Sequence, residues 1–191
     1  MIDISSIPPD KPVRIIIGAG DQHWPGWIST YREELDLLRP EDWENSFHAR
    51  SVDAFLCEHV WEHLTEAQGR AAAKLCYQWL KSGGYLRCAV PDANFPDKAY
   101  QQIARVGGPG PRDHPASSHK ALYDYKRFVD VFAQAGFDVD LLEYCDNQGR
   151  FHYNQWSPDD GPVYRSLLLD HRNHGAKIKS ISLIVDAKKP A

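Results

Sequence analysis

Short apolar runs alternate along the chain with polar segments of helical spacing. Runs rich in β-branched or small apolar residues predict strands buried on both faces. They lie at 13–17, 51–57 and 85–90. Weaker alternation predicts four further strands, at 27–30, 34–37, 137–144 and 178–187.

Two helices are predicted between these strands. Thr65 and Gln68 have the spacing of a capping box, and the apolar side chains that follow recur at helical intervals. Apolar spacing also predicts a helix over 123–135, with Gly136 at the position of a C-terminal cap. Shorter helical segments are predicted over 40–43 and from Asp97.

This alternation predicts an α/β fold, a Rossmann-like, mainly parallel sheet flanked by helices. Only six residues separate Gly20 from Trp27, whereas a parallel crossover usually needs about a dozen. Either the first helix is reduced to a turn or the second strand is misassigned. The 191 residues suit a single domain spanning 1–191.

Composition narrows the functional classes. The net charge is −4 and both signs are mixed along the chain, which does not favour nucleic acid or an anionic membrane as partner. Residues 1–12 lack the pattern of a secretory signal, and no apolar run is long enough to span a bilayer. We therefore expect a soluble cytoplasmic protein whose four cysteines are reduced and mostly buried.

The segment His59-Val-Trp-Glu-His63 matches an inverted zinc-protease motif. In that interpretation His59 and His63 ligate zinc, Glu62 polarises water, and a third acidic ligand comes from downstream. A buried strand precedes the motif, however, and no substantial helix upstream frames it. We therefore favour the absence of a metal site. The remaining histidines considered lack cysteine partners and a common spacing, and are predicted to be solvated or in loops: His114, His119, His171 and His174.

A different interpretation comes from the order of five segments in the first half of the chain. They are Ile17-Gly-Ala-Gly20, Pro25-Gly-Trp27, Asp36-Leu37, 52–64 and 80–92. In this order they resemble class I S-adenosylmethionine-dependent methyltransferases, in particular the small type-11-like members. The second half is similar to that family only in the order of its elements.

The resemblance implies a cofactor, S-adenosylmethionine, and residues around it. Backbone N–H groups of the first turn would meet its methionine carboxylate, Asp36 and Leu37 its adenine, and the end of the 51–57 strand would form the floor. The cofactor-binding residues implied are Gly18, Ala19, Gly20, Asp21, Asp36, Leu37, Cys57 and Glu58. Each also has a structural interpretation, as a tight turn, a charged loop residue or a core side chain.

Candidate catalytic residues follow the strand ends. His59 is the first candidate at the methyl-transfer end and Asp92 the second, with His63 and His119 as further bases. A carboxylate that in many family members grips the ribose is missing, because Thr30-Tyr31 occupies that place.

The predicted function is methyl transfer to a small molecule or a short protein segment. A zinc metallohydrolase and a non-catalytic interaction protein stay open as alternative functions. A homodimer stays open as the oligomeric state. The aromatic run 151–156 is either a lid over a substrate or a hairpin packed on the sheet edge, and we favour the hairpin.

Overall fold

The computed structural model describes residues 7–8, 10–109, 115–175 and 177–191. Within these residues seven strands form one sheet: β1 (Arg14–Ile17), β2 (Ile28–Ser29), β3 (Val52–Glu58), β4 (Leu80–Pro91), β5 (Asp138–Cys145), β6 (Phe151–Tyr153) and β7 (Ser182–Lys188). The helices are α1 (Pro40–Ser46), α2 (Glu66–Trp79), α3 (Lys98–Ala104) and α4 (Tyr125–Ala133). None of the helices in the described part is long and apolar enough to cross a membrane.

The sheet has the order β2-β1-β3-β4-β7-β5-β6. Strands β2, β1, β3 and β4 pair in parallel, as predicted for the first half of the chain. Strand β7 is antiparallel to both β4 and β5, and β6 is antiparallel to β5. The sheet is therefore mixed, with its parallel part built from the first four strands.

The two faces of the sheet are covered differently. Because successive side chains alternate, Ile15 and Ile17 point to one face and Ile16 to the other. On the first face α1, α2 and α4 contribute to the buried core. The core of the second face contains Trp156 and Val163 from the segment after β6, whose helical structure is limited to short 3-10 turns. The connection from β1 to β2 is made of turns, as the reduced first helix requires.

Local signals set the boundaries of the main helix. The Gln68 amide donates to Thr65 Oγ1 at 3.3 Å and the Thr65 amide to Gln68 Oε1 at 2.9 Å, so the capping box is confirmed. Helix α2 ends at Trp79 and β4 begins directly at Leu80, earlier than predicted. Gly136, after α4, has a φ of 101°, consistent with a C-terminal cap.

Two weaker predictions have different outcomes. The strand predicted at 34–37 is wrong, since the segment forms turns; Leu35 and Leu37 are buried there without pairing, which explains the apolar pattern. The aromatic run 151–156 begins with β6, which pairs with β5 at the edge of the sheet, so the hairpin is confirmed.

Candidate functional site

A cavity of about 770 Å³ opens at the carboxyl ends of β1, β3 and β4. Its lining includes the turn 18–22, the segment after β3, the end of α3 and parts of 164–181. The volume falls in the range of about 300–1,000 Å³ typical of small-molecule and cofactor sites. The carboxyl edge of a parallel sheet is also where α/β folds bind ligands.

The turn after β1 lines this cavity with backbone of unusual conformation. Gly18 and Gly20 have φ values of 64° and 54°, a region that favours glycine. A Cβ on Gly18 would lie 2.7 Å from Val60 Cγ2, whereas one on Gly20 would meet no atom within 4 Å. Among the described residues, no acceptor receives the amides of Gly20 and Asp21. The turn can therefore meet an anionic group of a ligand.

Glu58 attaches the opposite wall of the cavity to the sheet. Its carboxylate accepts from the Tyr164 and Arg165 amides, both at 2.8 Å, and from Gln22 Nε2 at 2.9 Å. Gln22 Nε2 also donates to Pro162 O at 2.6 Å. The side chain of Glu58 is thus engaged in fixing the segment 162–165 beside the first turn.

His59 lines the cavity, and each of its two ring nitrogens lies close to a polar side chain. Its Nε2 lies 2.8 Å from Ser182 Oγ, whose hydroxyl donates to Arg165 O, so His59 Nε2–H donates to Ser182. His59 Nδ1 lies 3.0 Å from Glu62 Oε1. Burial alone raises the pKa of Glu62, but the charge and hydrogen bond of His59 outweigh it and the pKa is lowered. Both His59 ring nitrogens are therefore engaged, and the residue holds the unusual φ of 54°.

The side chains of Glu62, His63 and His119 lie close together next to His59. The segment Trp61–His63 forms a short 3-10 turn, and Lys120 and Ala121 donate their amides to its Glu62 O. These bonds bring His119 against His63, with the ring centroids 5.1 Å apart. Burial lowers the pKa of His63. His119 lies in a loop, as predicted, but it is 8% exposed and therefore not solvated.

Several predicted site residues lie away from the cavity. Asp36 accepts from the Leu38 amide at 2.8 Å and pairs with Arg32 at 3.1 Å. Leu37 packs in the core of the helix-covered face, as does the fully buried Cys57. The place of the expected ribose carboxylate is closed as well, because the buried Thr30 hydroxyl donates to Ile16 O.

Asp92 is also held in the interior, with no exposed surface. Its carboxylate accepts from the Cys145 amide at 2.6 Å and the Asn94 amide at 2.7 Å, and so joins the end of β4 to the end of β5. Burial raises its pKa to about 6. Of the other histidines, His171 and His174 are exposed as predicted, and His114 lies outside the described residues.

The cavity therefore brings together eight of the predicted residues: Gly18, Ala19, Gly20, Asp21, Glu58, His59, His63 and His119. Sequence reasoning did not predict that Gln22, Tyr164 and Arg165 line it. It also did not place Glu62 with His119. Gln22 directly follows the predicted turn 18–21, whereas Tyr164, Arg165 and His119 reach the cavity through long irregular connections that no spacing in the sequence signals.

Comparison with known proteins agrees with this geometry. Residues 28–88 match the family model described as a methyltransferase domain. A comparison with curated proteins found no match. A SAM-dependent methyltransferase from Archaeoglobus fulgidus superimposes with a TM-score of 0.56 at 13% identity, over 94% of this chain and 87% of that one.

A second similar structure is an O-methyltransferase family protein from Burkholderia thailandensis. It superimposes with a TM-score of 0.54 at 11% identity, over 95% of this chain and 52% of that one. This chain thus spans about half the length of that protein. At such identities the likeness shows the fold. The chain has the fold of S-adenosylmethionine-dependent methyltransferases, and its residues 28–88 match the model of a methyltransferase domain.

Proposed function

We propose that the chain binds S-adenosylmethionine in this cavity and transfers its methyl group to a small molecule or a short protein segment. The observation that carries the proposal is the glycine turn after β1: Gly20 and Asp21 line a cofactor-sized cavity, and their amides have no acceptor among the described residues. The family-model match over 28–88 and the fold support it independently.

The residues present fit the amino-acid end of this cofactor. The Gly20 and Asp21 amides would donate to its carboxylate, and the missing Cβ of Gly20 leaves the room that a close approach needs. Asp36 and Leu37 are engaged elsewhere, so contacts to the adenine and ribose would have to come from other residues.

When bound, the sulfonium supplies an electrophilic methyl group. The chain then has to position the acceptor in line with it and exclude water. The segment 162–165, attached through Glu58, forms a wall for that purpose. His59, with both ring nitrogens bonded, fits the role of holding this wall and the Glu62 carboxylate in place better than that of a free base.

Calorimetry with S-adenosylhomocysteine tests the proposal. We expect wild-type protein to bind it, and Gly20→Val to abolish binding because two methyl groups enter the cavity beside the free amides. Gly83→Val is the matched control. Gly83 also has a positive φ, 77°, and open space around its Cβ position, but it lies in β4 away from the cavity.

Both variants carry a similar backbone strain of about 1–2 kcal/mol, so thermal unfolding should shift alike in the two. Absence of wild-type binding at millimolar ligand would contradict the proposal. Equal affinities of Gly20→Val and Gly83→Val for S-adenosylhomocysteine would show that the turn does not contact the ligand. Binding without transfer to any acceptor would instead favour the non-catalytic alternative. A homodimer and a cytoplasmic location stay predictions.

A further inference from the structure

We propose that Glu62, His63 and His119 form a binding site for a divalent transition-metal ion, of which Zn²⁺ is the best match. One ligand atom from each residue lies within 4.8 Å of the other two. Two imidazoles and a carboxylate are a ligand set that suits zinc and its neighbours. All three residues line the cavity. The proposal departs from the sequence-based prediction that the chain lacks a metal site.

The two histidines are oriented as metal ligands usually are. His119 Nδ1 lies 3.0 Å from Ala104 O, which can only accept, so this nitrogen carries the proton. His63 Nδ1 lies 2.8 Å from Ser118 Oγ, whose own proton goes to Pro115 O. His63 Nδ1–H therefore donates as well. In both rings the Nε2 lone pair is left for a ligand, which is the outer-shell arrangement that fixes the tautomer in metal sites.

The buried carboxylate of Glu62 independently favours a bound cation. The residue is 1% exposed, and His59 Nδ1, 3.0 Å from Oε1, is the only described partner of its carboxylate; Oε2 receives no hydrogen bond from the described residues. A buried carboxylate oxygen without a donor is costly, and such atoms in native structures usually have a partner. A cation between Glu62 and the two Nε2 atoms would provide one.

The backbone fixes this geometry. Glu62 O accepts from the Lys120 amide at 2.7 Å and the Ala121 amide at 3.1 Å, which locks the residue before them, His119, against the 3-10 turn. Zinc ligands lie about 2.0–2.2 Å from the ion. Binding would therefore contract the cluster by small side-chain movements. With three protein ligands, the remaining coordination position would be reached from the cavity.

This ligand set differs from the inverted zinc-protease motif. There His59 and His63 would be ligands, but His59 Nε2 faces Ser182 and its Nδ1 faces Glu62. In the described structure the third residue is His119, from a distant part of the chain, and Glu62 is itself a ligand. None of the three ligands depends on the methyl donor, so the metal site stands whether or not the proposed function does.

The test uses the full chain, stripped with a chelator, and the metal alone. Calorimetry with Zn²⁺ and visible absorption with Co²⁺ should show one equivalent bound, with the intense d–d bands of a low-coordinate ion. We expect His119→Ala to weaken binding at least tenfold and Ser118→Ala, at an exposed hydroxyl that orients His63, to weaken it about tenfold. His171→Ala, at an exposed histidine outside the cluster, is the matched control and should bind as wild type does.

Circular dichroism checks the fold of each variant, and if His119→Ala does not fold, Ser118→Ala decides. No stoichiometric binding by wild-type protein would overturn the proposal. Binding that is unchanged in folded His119→Ala, or lost equally in His171→Ala, would also overturn it, because the metal would then sit on surface histidines.

Discussion

A buried ion pair fixes the segment after β6 that covers the second sheet face, and the loss of stability on removing the pair can be predicted. Arg87, on β4, donates from Nε and Nη2 to both carboxylate oxygens of Asp186 on β7, each at 2.8 Å. Its Nη1 donates to Ser157 O and Gly161 O, also at 2.8 Å. The guanidinium lies 4.9 Å from the ring centroid of Trp156. One side chain thus joins two central strands to the segment that covers them.

We expect Arg87→Met to lower the free energy of unfolding by about 4 kcal/mol. Methionine retains much of the packing but leaves Asp186, 8% exposed, as an unpaired buried charge. Breaking a buried pair in this way costs about 3–5 kcal/mol. If the free energy of unfolding falls by about 2 kcal/mol per molar urea, the urea concentration at the unfolding midpoint should fall by about 2 M.

Urea unfolding followed by fluorescence and circular dichroism measures this change. The control is the double variant Arg87→Met/Asp186→Leu, which removes both charges and should regain about 2 kcal/mol or more, since apolar replacements of buried pairs are often neutral or stabilising. A loss below about 1 kcal/mol in the single variant, or a double variant no more stable than the single one, would refute the reasoning.

The buried carboxyl groups of Glu143 and Asp92 lead to two further predictions. Glu143, which has no exposed surface, accepts from Trp156 Nε1 at 2.9 Å and the Leu167 amide at 2.8 Å. Glu143→Gln can satisfy only one of these donors, so we expect a loss of about 1–3 kcal/mol and faster proteolysis within 156–167; unchanged stability and cleavage would argue against this tether. Burial raises the pKa of Asp92 from 3.8 to about 6, so its folded state retains a proton that the unfolded state has lost. The stabilisation by this proton is fully present below about pH 4 and is lost as the pH rises through about 6. The free energy of unfolding should fall by up to about 3 kcal/mol over this range. Urea unfolding of wild type and Asp92→Asn between pH 4 and 7 measures it, and parallel pH profiles would contradict the assignment.

The elements that sequence predicted correctly are those with local causes. The capping box at Thr65 and the β-branched run of β1 act over a few residues, and both are confirmed. The segment 34–37 has the same alternation as a strand, yet it forms turns. Alternation reports only which side chains are buried; whether a neighbouring strand offers hydrogen bonds is decided by the rest of the fold.

For the site, topology made part of the prediction possible. Residues that directly follow parallel strands meet at one edge of the sheet, so the turn 18–21 and the pair Glu58-His59 were expected together and do line one cavity. The wall at 162–165 was not foreseen, nor was the contact of His119 with Glu62 and His63. The wall and His119 arrive through long irregular connections, where no periodicity indicates which side chain will reach the cavity.

The position of β7 has a consequence for how the chain folds. This strand lies between β4 and β5, so in the described sheet the strand pairing of β5 and β6 with the parallel strands runs only through it. The β4–β7 pairing joins residues about a hundred positions apart, such as Arg87 and Asp186. Closing so large a loop is entropically costly and slow. We therefore expect the insertion of β7 to be a late step, before which the edges of β4 and β5 are exposed to pairing between molecules.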